Sequence, residues 1–477
     1  MKSLLIGSLL MAAGVATAAV TEVRFEPNGV PAFLGRNDLQ QGKLVVVADK
    51  EAKQEYVRVS ITGTKPADVK TIRAGEVKGS VMGDKLSFRL PVKAGTNEFP
   101  VKIEPSPKAD IGRKVVLEGK AVRLGSLVTR PGQKVTDAGR NSKNFRIPGI
   151  VETPKGTLVA VFDNRFNHAG DLPADITVGV SVSKDKGNTW SPIRTAISCK
   201  DLPGGSGIGD PAILCDPSNG RIWVAALRAP NAGHPIWKSS TGTVDPKACG
   251  QFILAYSDNE GQSWSKPINI TEEIKRLADP DTKDWGLVFQ GPGAGIAMTD
   301  GTLVFPAQIW GNKGSAPHHG VLVYSKDHGK TWASSKAMPF GGSESTVAET
   351  TDGALLLNTR EGGGGLRVTG RTTDLGQTWT KLETSPLRQP VCQGALLAMN
   401  KKLYFSNPNS GKRDTMTVRA SADDGKTWNA GIVYDPRGCA GYSSLCSVGE
   451  DSLGVLYEGN SDYLYFLRIP LAEIDGE

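Results

Sequence analysis

Short runs of apolar and β-branched residues, separated by glycine, proline and asparagine, make up most of the chain. In the first part they include residues 43–48, 56–61 and 114–119. Such runs alternate or cluster Val and Ile between turn-forming residues, which is typical of strands. Strands this short and this closely spaced predict an all-β fold, with a small β-sandwich over residues 19–128.

A polar stretch, residues 129–144, follows and contains few apolar side chains that could be buried. It is predicted to be a linker. Glycine and tryptophan become more frequent from residue 145 onward, so residues 145–477 are predicted to form a second domain.

An eight-residue pattern, Ser/Thr-x-Asp-x-Gly-x-Thr-Trp, punctuates this second domain. Its copies are residues 183–190, 257–264, 325–332, 372–379 and 421–428, the second with Asn259 at the Asp position and Ser263 at the second Thr position. The Asp can bond nearby backbone, the Gly allows a positive φ, and the Trp can pack a hairpin onto its sheet. The copies therefore indicate equivalent hairpins of a repeated β-unit, and radially repeated sheets form a propeller.

The N-terminus predicts export. Met1-Lys2-Ser3 is followed by an apolar run, residues 4–15, and by Ala16-Thr17-Ala18. This order describes a signal peptide, residues 1–18, and implies a secreted or periplasmic protein. No later segment reaches eighteen apolar residues, so no membrane insertion is expected. The net charge of +7 is spread along the chain, which argues against a nucleic-acid partner.

Six cysteines and five histidines leave two questions. The cysteines fit either disulfides in an oxidising compartment or small buried side chains, and both readings stay open. Neither they nor the histidines show a metal-ligand spacing. We expect no metal and no other cofactor.

The segment Phe145-Arg146-Ile147-Pro148, placed ahead of the repeats, resembles the corresponding strand of bacterial sialidases with Asp-box repeats. The resemblance covers residues 142–470. It implies a six-bladed β-propeller and an exo-alpha-sialidase, a retaining glycoside hydrolase that removes terminal sialic acid. The expected partners are sialylated glycans on glycoproteins, including mucins, on glycolipids and on oligosaccharides.

Three arginines match the group that binds the sugar's carboxylate in this family. They are Arg146, Arg360 and Arg413, in family order. The guanidinium meets a carboxylate with two parallel hydrogen bonds and keeps its charge, so the residue type suits the role. Arg165 and Asp210 match further contacts to the sugar, although a turn role before Pro211 would also explain Asp210.

Asp171 matches the general acid/base. It follows Gly170 in a loop from which a carboxyl group could reach a pocket. Asp163 and Asp175 are competing carboxylates. We interpret Asp163 as too close to a strand end to move, and Asp175 as the residue that leads into a strand.

Tyr442 matches the family's nucleophile and Glu344 its base. A neutral phenol is not repelled by the substrate's carboxylate as a second anion would be, but it needs a base to take its proton. Glu349 remains an alternative base, because Glu344 stands one residue further from Arg360 than the family spacing implies. Glu458 matches an acid that holds Arg146 in place.

Two other functions remain compatible with the sequence. One is transfer of sialic acid to a sugar or to its own hydroxyl, which would use the same residues. The other is a non-catalytic sialoglycan-binding propeller, which would have no reason to keep an acid, a tyrosine and a glutamate in family order.

Overall fold

The computed structural model of the protein describes residues 19–34, 36–202, 205–230, 233–315, 318–383 and 386–476. The predicted signal peptide lies outside these residues. Within them, no helix is long and apolar enough to cross a membrane. The α-helices are short, Ile236–Ser239, Thr271–Lys275 and Leu471–Asp475, as are the 3-10 turns Pro66–Asp68, Cys199–Asp201, Asn312–Gly314 and Asn460–Asp462. Strands form the rest of the regular structure.

The described chain divides into two compact units. The first ends at residue 122, while residues 33–36, 109–113 and those from 123 onward belong to the second. The first unit contains two five-stranded sheets. Their strands, in sheet order, are Val20–Pro27, Gly42–Ala48, Gly95–Pro105, Val69–Ala74 and Val77–Lys78, and then Lys120–Arg123, Lys114–Leu117, Ala52–Thr62, Lys85–Val92 and Ser80–Met82.

Burial alternates along the longest strand of the second of these sheets. Val57, Val59 and Ile61 are buried, while Arg58 and Ser60 between them are exposed. This period of two gives the sheet one buried and one exposed face, as in the strands of a sandwich.

The second unit is a β-propeller whose described residues form six antiparallel sheets of four or five strands, here called blades 1 to 6 in chain order. Blade 1 comprises Asn144–Glu152, Leu158–Arg165, Ile176–Ser183 and Arg194–Ile197, and blade 2 comprises Gly205–Asp216, Arg221–Pro230, Gln251–Ser257 and Ile268–Asn269, with Gly293–Ala294 added in parallel. Blade 3 comprises Trp285–Gln290, Leu303–Gly311, His319–Ser325 and Ala333–Ser334, with Ile296–Ala297, and blade 4 comprises Ser345–Glu349, Leu355–Thr359, Val368–Thr372 and Thr380–Lys381. Blade 5 comprises Ala395–Met399, Lys402–Pro408, Met416–Ser421 and Ile432–Asp435, and blade 6 comprises Ser443–Ser447, Ser452–Glu458, Leu464–Pro470 and Ser126–Thr129. Two small two-stranded sheets pair Lys134–Val135 with Arg140–Asn141 and Gly365–Leu366 with Arg388–Gln389.

The blades form a closed ring. Inner strands of each blade contact those of the next, and blade 6 contacts blade 1. The outermost strand of blade 6, Ser126–Thr129, comes from the N-terminal side of the propeller and pairs with Leu464–Pro470. This pairing joins the two ends of the unit. It also places Ser126–Thr129 in a sheet of the propeller, although the sequence assigned residues up to 128 to the sandwich, because this strand makes its backbone hydrogen bonds with Leu464–Pro470. The predicted linker likewise lies in the second unit.

Each of the five eight-residue repeats is the turn between the third and fourth strands of blades 1 to 5. In blade 4 the carboxylate of Asp374 accepts from Thr378 N at 2.9 Å and Thr378 Oγ1 at 2.7 Å, and Gly376 N donates to Thr372 Oγ1 at 2.8 Å. Asn259 serves the same turn in blade 2, where Ser263 N donates to its Oδ1 at 2.9 Å. Blade 6 lacks the repeat because its fourth strand does not follow its third in the chain.

All six cysteines are unpaired in the structure. Cys249, Cys392 and Cys446 are buried. Of the two readings left open by the sequence, the structure therefore supports small buried side chains for these three.

Candidate active site

The predicted site residues gather at one end of the propeller, where first strands begin and second strands end. The repeats lie at the ends of third strands and so occupy the opposite end. The residues are Arg146 and Asp210 in first strands, Glu344 and Tyr442 directly before first strands, Arg165 and Glu458 at the ends of second strands, Arg360 and Arg413 shortly after second strands, and Asp171 in the loop after Arg165.

Tyr442 lies in a buried hydrogen-bonded corner with Glu344 and Arg360. The Tyr442 hydroxyl donates to the carboxylate of Glu344. It accepts from Arg360 Nη1 at 2.9 Å, and the same nitrogen donates to Glu344 at 2.5 Å. Burial raises the pKa of Tyr442 well above its usual value, and the charge of Glu344 adds to this effect while Arg360 opposes it. The hydroxyl is therefore a neutral phenol bonded to a base.

Two further arginines flank the Tyr442 ring. The guanidinium carbons of Arg146 and Arg413 lie 5.2 and 5.6 Å from the ring centroid. Arg413 is held by the carbonyl oxygens of Val391 and Ala440, at 3.0 and 2.9 Å. With Arg360 bonded to the hydroxyl, three positive charges converge around this one side chain, an arrangement suited to a carboxylate ligand.

Glu458 fixes the first of these arginines. Its carboxylate accepts from Arg146 Nε at 2.9 Å and Nη2 at 3.2 Å, and also from the backbone N–H groups of Ile147 and Tyr442 at 2.9 and 3.0 Å. Burial alone would raise the pKa of Glu458, but attraction to Arg146 and these hydrogen bonds lower it below its usual value. A single buried carboxylate thus connects the arginine to the backbone of the tyrosine.

Ile147 shows why such support is needed. It has a φ of +61°, which a β-branched residue rarely adopts, and it lies in a bulge of the first strand of blade 1. The bulge turns Arg146 toward Glu458. The hydrogen bond from Ile147 N to Glu458 helps to stabilise this strained backbone.

Arg165 forms a second corner, rich in carboxylates. Its side chain is only 1% exposed, and its Nε and Nη2 donate to Asp163 at 3.0 and 2.9 Å. Its Nη1 donates to Asp171 at 2.8 Å and to the carbonyl of Ala169. The Asp171 side chain is 52% exposed. Burial lowers the pKa of Arg146, but the charge of Glu458 raises it above its usual value. The nearby Asp171 carboxyl adds to this increase.

The two competing aspartates have other partners. Asp163 is fully buried against Arg165. Asp175 makes two hydrogen bonds to Arg140, at 2.6 and 2.7 Å, and directly precedes the strand Ile176–Ser183. Of the three, Asp171 is therefore the carboxylate that lies both beside Arg165 and open to solvent.

Asp210 approaches this corner from blade 2. It has a φ of +54° in a bulged strand, and its N–H donates to Asp163 Oδ1 at 2.8 Å. Its own carboxylate lies 4.0 Å from Arg165 Nη2. Burial raises the pKa of Asp210 well above its usual value, and the charges of Asp163 and Asp171 raise it further.

The structure also separates the two glutamates that the sequence left open. Glu349 ends the strand Ser345–Glu349, at the opposite end from Glu344. Its carboxylate accepts from Thr299 N at 2.8 Å and Thr299 Oγ1 at 2.9 Å. Glu344 is thus the glutamate that contacts Tyr442.

Sequence reasoning missed the contributions of three residues. Ile147 and Cys392 form an apolar cluster with Tyr442, and Asp163 orients Arg165. Residues two apart on a strand share a face, so the spacing of Asp163 and Arg165 was a signal for their contact. Among the described residues, no three His, Cys, Asp or Glu side chains are placed to share a metal ion.

The site combines converging arginines, a tyrosine bonded to a glutamate and a nearby exposed carboxyl. These groups are those of a β-propeller that binds a carboxylate and has an acid and a nucleophile beside it. Residues 156–455 match the BNR repeat-like domain. A sialidase from Bacteroides fragilis is 38% identical over 411 residues, which cover 80% of this chain and 74% of that protein. The solved structure of the Hadza microbial sialidase Hz136 is 30% identical, covers 94% of this chain and 99% of its own, and has a TM-score of 0.70.

A sialidase from Trypanosoma rangeli, at 23% identity and a TM-score of 0.58 over 73% of this chain and 57% of its own, shares the fold. The chain belongs to the sialidase family. It is an exo-alpha-sialidase, a glycoside hydrolase that releases sialic acid.

Proposed function

We propose that the protein removes terminal alpha-linked sialic acid with retention of configuration, with Tyr442 as nucleophile, Glu344 as its base and Asp171 as acid/base. Arg146, Arg360 and Arg413 bind the sugar's carboxylate, Arg165 and Asp210 contact the sugar, and Glu458 holds Arg146. The observation that carries this proposal is the hydrogen bond from the Tyr442 hydroxyl to Glu344, which gives a neutral phenol its base.

In the first step the Tyr442 oxygen attacks the anomeric carbon while its proton passes to Glu344. Asp171 gives its proton to the leaving glycosidic oxygen as that bond breaks. In the second step Asp171 takes a proton from water, the water oxygen replaces the tyrosine oxygen, and Glu344 returns the proton to Tyr442. Each substitution inverts the anomeric centre, so two of them retain its configuration.

The arginines serve both steps. The substrate's carboxylate stays on the anomeric carbon throughout, and three guanidinium groups around Tyr442 fix it beside the phenol oxygen. The same positive charge favours the phenolate character that develops on Tyr442 during attack and departure.

The substrates we propose are sialylated glycoproteins such as mucins, glycolipids and oligosaccharides. Export is part of the proposal: the mature chain would begin after residue 18 and act in the periplasm or outside the cell, where such glycans occur. The support for export is the N-terminal order of a basic start, an apolar run and a small-residue site.

The test is release of sialic acid from a sialylated mucin by the purified chain without added metal, followed by NMR of the first-formed product. The expected product is free sialic acid as the alpha anomer. A beta anomer formed first would contradict retention. An anhydro sugar or a sialylated acceptor would establish transfer in place of hydrolysis, and binding without release would establish a lectin.

A further inference from the structure

Asp163 holds two groups of the site at once. We propose that it is a positioning residue for substrate binding, whose carboxylate orients Arg165 through one oxygen and the Asp210 backbone through the other. This inference rests on the proposed function, in which Arg165 and Asp210 contact the sugar.

The first contact fixes the plane of the guanidinium. Asp163 Oδ2 accepts from both Nε and Nη2 of Arg165, at 3.0 and 2.9 Å, and both side chains are only 1% exposed. Nη1 is thereby directed to Asp171, at 2.8 Å. The Nη2 edge is directed to Asp210, whose Oδ1 lies 4.0 Å away. An arginine without this buried partner would be free to leave that orientation.

The second contact fixes a strained backbone. Asp210 N donates to Asp163 Oδ1 at 2.8 Å, and Asp210 has a φ of +54°. Gly209 permits this approach, because a Cβ at that position would lie 2.7 Å from Asp163 Oδ1. The sequence Gly209-Asp210 therefore complements Asp163, and the side chain of Asp210 is aimed by a carboxylate that itself lies in blade 1.

Asp163 also belongs to a group of three carboxylates, with Asp171 and Asp210, around Arg165. Arg146 lies opposite Asp163 on the neighbouring strand but is paired with Glu458.

Burial raises the pKa of Asp163 to about 6, although Arg165 lowers it. Burial raises the pKa of Asp210 well above its usual value, and the charges of Asp163 and Asp171 add to this increase, with a smaller contribution from Glu344. Asp163 is thus mainly a carboxylate at neutral pH, the form that accepts hydrogen bonds from Arg165 and Asp210 N, while the raised pKa of Asp210 limits repulsion of an anionic substrate.

Asp163→Asn tests both contacts, the one to Arg165 and the one to Asp210 N. The amide keeps the size of the side chain but loses its charge and one of its two acceptor oxygens. The full chain, Asp163→Asn and the control Asp175→Asn are compared with an aryl sialoside and with mucin between about pH 5 and pH 8. Asp175 is a suitable control because it is also bonded to an arginine, Arg140, away from Arg165.

We expect Asp163→Asn to raise KM about tenfold or more, with a smaller change in kcat, because it disturbs binding contacts and leaves Tyr442 and Glu344 in place. The pKa of Asp163 is about 6, so its carboxylate predominates in the upper part of this pH range, and the increase in KM should grow as pH rises. Asp175→Asn should match the wild type. Gly209→Ala displaces Asp163 from Asp210 and should also raise KM. This variant replaces Asp163→Asn in the test if Asp163→Asn does not fold.

A thermal melt separates positioning from stability. If Asp163→Asn, or in its place Gly209→Ala, melts at a lower temperature but keeps the KM and pH profile of Asp175→Asn, Asp163 has a structural role only and the inference is overturned. If the wild-type chain itself releases no sialic acid, the proposed function fails and this inference fails with it. Release by the wild type with unchanged KM in the variants would overturn the inference alone.

Discussion

The nucleophile corner and the acid corner of the site are built in different ways. Tyr442 is 6% exposed and bonded to groups at strand ends, whereas the Asp171 side chain is 52% exposed and lies in a loop. A nucleophile must approach one carbon from a fixed direction, so rigid placement before the substrate arrives favours its reaction. An acid must reach leaving groups of different shape, for which a loop position is suitable.

The charges of the two corners differ as well. Three arginines surround Tyr442, while three carboxylates share Arg165. The first arrangement attracts the substrate's carboxylate and supports charge on the phenol oxygen. In the second, burial raises the pKa of Asp163 and of Asp210, which limits the negative charge beside the bound substrate. One pocket can thus combine a cationic half, which binds the substrate's carboxylate, with a half in which several carboxyl groups share one guanidinium.

The largest effect is expected from Tyr442→Phe, which removes the nucleophilic oxygen. Turnover of every sialoside should fall by about a thousandfold or more, because the phenylalanine ring has no oxygen with which to form the covalent intermediate. Steady-state kinetics measures this loss, and a thermal melt verifies the fold. Tyr404→Phe is the matched control, since it removes another buried hydroxyl, which bonds Asp475 at 3.2 Å. Comparable losses in both variants would contradict the special role of Tyr442.

Asp171→Ala should be the next largest, and its size should depend on the leaving group. A natural glycan has a poor leaving group that needs a proton, so kcat/KM should fall about a hundredfold to ten-thousandfold. An aryl sialoside with an acidic phenol needs little protonation and should lose much less in the first step. Kinetics with both substrates measures the difference. Activity near the wild-type value on the natural glycan would show that Asp171 is not the acid.

Glu458→Gln tests the rigid placement of groups in the nucleophile corner. It leaves Arg146 as a buried charge without its carboxylate, so the free energy of unfolding at pH 7 should fall by about 3 to 5 kcal/mol. The folded-state pKa of Glu458 lies below its usual 4.5. Its stabilisation is therefore complete above pH 4.5 and is lost as the pH falls through the lower, folded-state pKa. Urea unfolding should show the two proteins converging at acidic pH; a pH-independent difference would contradict the ion-pair account.

The smallest effect is expected at the opposite end of the propeller, from Asp374→Ala. Hydrogen bonds from the Thr378 side chain and backbone hold the pKa of Asp374 at about 2. Their loss should lower the free energy of unfolding by about 1 to 2 kcal/mol and leave kcat/KM unchanged. A melt and steady-state kinetics together measure this. A large loss of kcat/KM without a change in melting temperature would show that the repeats act on the site.

Much of this arrangement could be predicted from the sequence, because it depends on local patterns and on residues in family order. The eight-residue repeats predicted the turns at which they lie. The sequence contexts of Arg146, Glu344 and Tyr442 predicted that these residues belong to one site, and the structure brings them together. Closure of the ring by Ser126–Thr129 could not be predicted, since the partner strand lies more than three hundred residues away in the chain. The positive φ of Ile147 was also hidden, because bulges follow from tertiary hydrogen bonds.

Trapping the covalent intermediate tests most directly whether Tyr442 is the nucleophile. The chain is incubated with 2,3-difluorosialic acid, the compound named in the covalent-intermediate structure of the Trypanosoma rangeli sialidase, and the modified peptide is identified by mass spectrometry. We expect one sugar adduct on Tyr442, absent from Tyr442→Phe. An adduct on Glu344 or Asp171 instead, or continued turnover of the analogue without any adduct on Tyr442, would contradict it.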